Sequence, residues 1–195
     1  MKTLLLFLFV AVAAVYSQVP ERCEAPSAFE SRIGRLDTIR GYFVRGKMSY
    51  DARNMRTRIV EEVETREDKE YYDVLYLHNT QPGKEYRYNL KTKQCETRML
   101  NNSFRRFEIP EDAHPFGEFT IGTKGQPGEG VDVTMWGGRT SMGGEFVGVF
   151  TLAGCVPVND RYFRNESSFD NTDFYDVTLG ISNASIFIPP HECMP

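Results

Sequence analysis

Along most of the chain, apolar and polar residues alternate with a period of two, the signature of half-buried strands. "YFVRGKMSYD" (Tyr42–Asp51) begins the pattern. "MRTRIVEEVE" (Met55–Glu64) then puts Met55, Thr57, Ile59, Glu61 and Val63 on one face. Only "DARN" separates the two runs, which predicts a hairpin. "YYDVLYLH" (Tyr71–His78) follows, then the turn residues Gln81-Pro82-Gly83, then a run in which Tyr86, Tyr88 and Leu90 share a face. "KTK" turns into "QCETRML". The second half repeats the habit with more glycine: "EFTIG", "VDVTMW", "EFVGVFTL", Arg161–Arg164 and "DFYDVTLGI". Two stretches are helix candidates: Ala28–Leu36, with poor apolar spacing, and Ile109–Phe116, broken by proline. About ten strands with regularly spaced turns predict a mainly β antiparallel sandwich or barrel with little helix. No repeat or linker divides residues 18–195, so they are read as one domain.

Aromatic residues make up 13% of the chain, with 14 Phe and 10 Tyr against one Trp. A twisted sheet carrying that much aromatic surface can pack on itself or curl around an apolar ligand. Gly143, Gly144, Gly148, Ala153 and Gly154 lie in or beside the Glu145–Leu152 strand, where small residues mark bends or close approach of another group.

The N-terminus changes the setting. Lys2 is followed by an uncharged apolar run, Leu4–Val15, and small residues suit a cut after Ser17. Residues 1–17 therefore read as a secretory signal peptide, since spanning a bilayer takes about 20 apolar residues. The chain is expected to be secreted and extracellular, not membrane-spanning. The net charge of −4 becomes more negative once Lys2 leaves with the leader, which argues against a nucleic-acid partner. The four cysteines, Cys23, Cys95, Cys155 and Cys193, all follow the leader; an even count in an exported chain implies two disulfides, with three pairings open. Sequons at Asn101, Asn165 and Asn183 predict N-linked glycans.

Catalytic signatures are absent. His78, His114 and His191 are far apart, and neither HExxH nor GxSxG occurs. "GTKGQPGEG" lacks the Gly-Lys-Ser/Thr order of a phosphate loop. The chain is expected not to be an enzyme and to need no organic cofactor. "DNTDFYD" (Asp170–Asp176) offers oxygen ligands for calcium but lacks the glycine and closing glutamate of an EF-hand loop. The metal ligands are thus left unassigned, and His191 has no assigned role.

Several blocks, in order, resemble the ependymin family: "CEAPSAFESRIG" (Cys23–Gly34), "YDARNMRTRIVEE" (Tyr50–Glu62), "YNLKTKQC" (Tyr88–Cys95), "CVPV" (Cys155–Val158) and "FYDVTLGISNASIFIPPHEC" (Phe174–Cys193). The resemblance implies a secreted glycoprotein, lysosomal in some mammalian members. Its fold would be a strongly curved antiparallel sheet, a half-open barrel around a deep apolar pocket, similar to bacterial lipoprotein carriers. It implies a homodimer, a hydrophobic or lipid ligand, calcium binding and cell-matrix adhesion. It also selects the interleaved pairing Cys23–Cys155 and Cys95–Cys193. The third disulfide of many vertebrate members is missing here, since both of its cysteines are absent. Two functions follow as expectations: a carrier of a hydrophobic molecule, or an adhesion glycoprotein whose cavity is incidental. For the carrier, the strand residues expected to line the pocket are Ile59, Leu75, Leu77, Tyr86, Tyr88, Trp136, Phe146, Val149 and Phe150. A one-residue slip in register would invert each strand's contribution.

Overall fold

The computed structural model describes residues 20–38, 41–139, 144–165 and 168–194. The expected leader, 1–17, lies outside them.

Among the described residues, eleven strands form one antiparallel sheet: β1 (Ala28–Asp37), β2 (Tyr42–Asp51), β3 (Arg56–Glu64), β4 (Lys69–Leu77), β5 (Gly83–Asn89), β6 (Cys95–Leu100), β7 (His114–Gly122), β8 (Gly130–Arg139), β9 (Glu145–Thr151), β10 (Pro157–Asn165) and β11 (Ser168–Leu179). Their order is β6-β5-β4-β3-β2-β1-β11-β10-β9-β8-β7. Two meanders, β1–β6 and β7–β11, are thus joined at the β1–β11 pair. The sheet does not close, so β6 and β7 are its edges, in keeping with the expected curved, half-open barrel. Two short 3₁₀ turns follow, η1 (Ala184–Phe187) and η2 (His191–Cys193).

The helix candidate at Ala28–Leu36 is instead β1, at the centre of the sheet. Its "AFESRIGRLD" buries Phe29, Ser31, Ile33 and Asp37 on one face, a period of two in which the buried serine and aspartate hide the alternation. The candidate at Ile109–Phe116 forms no helix either, and β7 starts at His114.

The concave face is filled in two places. Phe29, Ile33, Met48, Tyr50, Ile59 and Phe174 make one cluster around the middle strands. Ile109, Trp136, Phe146 and Phe150 make the other beside Cys23–Cys155. The chain between the two edges, residues 101–113, crosses this face, sending Phe104 and Phe107 to the first cluster and Ile109 to the second. Gly148 lies on the concave face between Phe146 and Phe150. A Cβ there would come within 2.7 Å of the Phe150 ring, so the glycine allows that close approach.

Two disulfides hold the ends. Cys23 is bonded to Cys155 and Cys95 to Cys193, spanning 132 and 98 residues. In the loop-entropy account each contributes at most about 4–5 kcal/mol. The C-terminal segment lies on the convex face of β3–β5. Phe187 is buried there under the Arg56 guanidinium, 4.1 Å from the ring centroid.

Candidate functional site

Beside the first cluster, over β1–β5 and β11, the concave face leaves a cleft of about 320 Å³. Period-two alternation fixes which side chains reach it. Ile59 stands beside Met48 on β2 and Val74 on β4, and Glu61 stands across from Gly46 and Tyr72. One wall is apolar, made by Val44, Met48, Ile59, Phe104 and Phe107. The rest of the lining is polar and interleaved with it, including Arg35, which pairs with Val44 across β1 and β2, and Glu61, Tyr76, His78 and Arg87. Gly46 keeps the floor beside Glu61 tight, since a Cβ there would sit 2.8 Å from the Val60 carbonyl oxygen.

The polar wall is a charged cluster in a poorly hydrated place. Glu61 is 8% exposed, and burial pushes its carboxyl above the usual range, opposed by Arg35 and Arg87. Arg87 approaches Glu61 at 3.4 Å and lies over the Tyr72 ring at 3.8 Å. Burial also pushes the Tyr76 phenol up to about 12. His78 is pushed below its ordinary value by burial, and neither ring nitrogen has a hydrogen-bond partner. Its ring meets Phe104 edge-on at 5.4 Å. This arrangement can solvate a polar head group while the apolar residues beside it hold an apolar body.

The nine expected pocket residues divide three ways. Ile59 lines the cleft. Trp136, Phe146 and Phe150 face the concave side but are packed in the second cluster, where Trp136 Nε1 donates to Thr134 Oγ1 at 2.9 Å. Leu75, Leu77, Tyr86, Tyr88 and Val149 belong to the opposite face and do not line it. Leu75 is the register partner of Arg58 and Tyr86, while the cleft-lining Tyr76 pairs with Thr57 and Glu85. Both faces of β4 are apolar because the C-terminal segment covers the convex one. Leu75 is therefore fully buried while facing away from the cleft.

Phe104, Phe107, Arg35, Glu61, Arg87 and His78 were not among the expected residues. Arg87 lies on the polar face opposite Tyr86 and Tyr88, Glu61 shares the face of the expected Ile59, His78 ends the face opposite Leu75 and Leu77, and Arg35 lies in the stretch read as helix; Phe104 and Phe107 lie in a loop-like stretch with no period at all.

Among the described residues, no three His, Cys, Asp or Glu side chains converge on a point that could hold a metal ion. Asp173 on β11 instead accepts from the Asn159 amide at 2.6 Å and from Asn171 at 3.3 Å. Asn101 and Asn183 are exposed. The Asn165 sequon runs through residues 166 and 167, outside the described residues. Among the described residues, no helix is long and apolar enough to cross a membrane.

The Ependymin family profile matches residues 66–193. Mammalian ependymin-related protein 1 of Mus musculus is 31% identical over 177 residues, 89% of this chain and 77% of the mouse protein. The chain belongs to the ependymin family. Ependymin-2 of Carassius auratus is 24% identical over 193 residues, 97% of this chain and 88% of the fish protein. In fold, this ependymin-family chain is similar to an uncharacterized conserved protein of Thermus thermophilus whose crystal structure is known. The TM-score is 0.53 at 10% identity, covering 86% and 88% of the two chains, a likeness of architecture alone.

Proposed function

We propose that this ependymin-family chain is a secreted binding protein that holds a hydrophobic, lipid-like molecule in the concave cleft. One observation carries the reading: beside the first cluster the concave face leaves a space lined by both apolar and charged side chains. A purely apolar molecule would strand Glu61, Arg35 and Arg87 without solvent, whereas an amphiphile satisfies both walls. No nucleophile or general base is asked to act, so the role is binding rather than catalysis. On the strength of the family resemblance the proposal extends to N-linked glycans, a homodimer and calcium binding. Sedimentation velocity with and without a chelator tests the last two.

The central test is native mass spectrometry of gently purified protein before and after exposure to mixed lipids. Wild type is expected to carry or take up lipid mass. Ile59→Trp, which fills the cleft, is expected to lose it while Leu75→Met, on the other face, retains it. A folded wild type that never retains or accepts lipid or detergent overturns the reading.

A further inference from the structure

The segment Asn101–Glu108 has features that separate it from an ordinary surface loop. It runs from edge strand β6 across the open side of the sheet, and its two phenylalanines point inward. Phe104 stacks on Tyr50 at 5.6 Å, and Phe107 meets Tyr50 and Phe174, each at 5.1 Å. The same two rings form part of the apolar wall of the cleft. They therefore occupy space next to that in which an apolar ligand body would lie. The space left over, about 320 Å³, is at the low end of the roughly 300–1,000 Å³ usual for ligand sites.

The backbone here is weakly held. Among the described residues, the one backbone–backbone hydrogen bond within 101–113 runs from Ala113 N–H to the Pro110 carbonyl. Its firm attachments are side-chain ones. Arg105 donates to both carboxylate oxygens of Asp160, at 2.7 and 2.8 Å, and lies 4.6 Å from the Tyr162 ring centroid. The Phe107 N–H donates to the Tyr50 hydroxyl at 3.1 Å. Both ends are fixed, Leu100 in β6 and Ile109 in the buried second cluster. A segment with few backbone bonds between two fixed ends opens more readily than the sheet around it.

We infer that Asn101–Glu108 is a latched aromatic plug: an incoming hydrophobic molecule displaces Phe104 and Phe107 and takes over their contacts, and Arg105–Asp160 is the latch. The inference rests on the reading that the cleft binds such a molecule. Opening separates the ion pair and leaves Asp160, which is 6% exposed, without that partner, so the latch sets how often the plug lifts. The rings then act as an internal competitor, which lowers affinity and keeps the empty site from exposing apolar surface.

The test uses the full secreted chain and N-phenyl-1-naphthylamine, an uncharged fluorescent probe on which loss of Arg105 cannot act through charge. Amide hydrogen exchange is followed at 101–108 with and without probe, and probe uptake is timed by stopped flow. Binding to wild type is expected to speed exchange at 101–108 while the strands are unchanged. Arg105→Gln and, from the other side, Asp160→Asn are expected to speed both uptake and release by at least about tenfold. Phe104→Ala is expected to tighten binding. Uptake by Arg105→Gln with none by wild type also supports the latch. If wild type binds the probe with exchange at 101–108 unchanged or slower, and Arg105→Gln keeps wild-type rates, the plug is overturned and the binding reading stands. If neither protein takes up the probe, the plug falls, and if neither takes up lipid in native mass spectrometry either, the binding reading falls with it.

Discussion

Arg58 holds the Asp73 carboxylate with two nitrogens and donates its third to the Ile186 carbonyl, at 2.5 Å. One guanidinium thus ties β3 to β4 and both to the C-terminal segment. The pair is largely buried, with side chains 17% and 11% exposed. Removing one partner leaves a buried charge unpaired and strands the Ile186 carbonyl. Arg58→Ala is expected to cost about 3–5 kcal/mol in urea unfolding. Hydrogen exchange should accelerate at 183–192 although Cys95–Cys193 still holds the end. Unchanged protection there would show that the disulfide alone seats the segment.

Gly148→Val should be among the more damaging small-to-large changes in the sheet. Its Cβ would stand 2.7 Å from the Phe150 ring and 3.2 Å from that of Phe146, both fully packed. Overpacking of this kind costs about 1–3 kcal/mol. Gly137→Ala is the contrasting case: its Cβ would meet Phe116 at 2.6 Å, but that ring is 52% exposed and can swing away. Chemical unfolding of the two variants should give a clear loss for Gly148 and little for Gly137.

The fold was readable because period two survives along most strands, and because turns such as Asp51–Met55 are short. β1 was misread where burial includes Ser31 and Asp37, since polarity there does not report exposure. The site was readable only in part. Alternation tells which residues share a face but not which face is concave, and β4 has apolar residues on both. The usual rule that the apolar face is the inner one fails when a distant segment, here residues 183–194, covers the outer one. Phe104 and Phe107 are set by long-range packing and leave no local pattern.

Asn183 serves as the N-cap of η1. Its Oδ1 accepts from the Ser185 N–H at 3.0 Å and the Ser185 hydroxyl at 2.8 Å. Both bonds use the oxygen, so a glycan on the amide nitrogen leaves the cap intact. Glycopeptide mapping should find this site occupied. Asn183→Asp removes the glycan but keeps an acceptor, and should leave folding stability nearly unchanged. Asn183→Gln removes both, and should cost about 0.5–2 kcal/mol. Equal losses for the two variants would assign the effect to the sugar instead.

Glu61 provides a pH test of the charged wall. Its ordinary value is 4.5, and burial raises it in the folded state against the pull of Arg35 and Arg87. A carboxyl with a raised native pKa binds its proton more tightly when folded than when unfolded. That contribution is fully present below about 4.5 and is lost as pH rises through the native value, after which a charge must stay buried. Glu61→Gln keeps the neutral shape and never carries the charge, although it leaves Arg87 without its acid at every pH. The stability difference, variant minus wild type, should therefore move in the variant's favour as pH rises from 4 to 7, whatever its absolute sign. Other titrating groups, including His78, are common to both proteins and largely cancel in the difference. Urea unfolding of both at several pH values measures it. A difference that is flat, or that moves toward wild type with rising pH, would mean that Arg35 and Arg87 outweigh burial and that Glu61 is an ordinary ionised partner of Arg87.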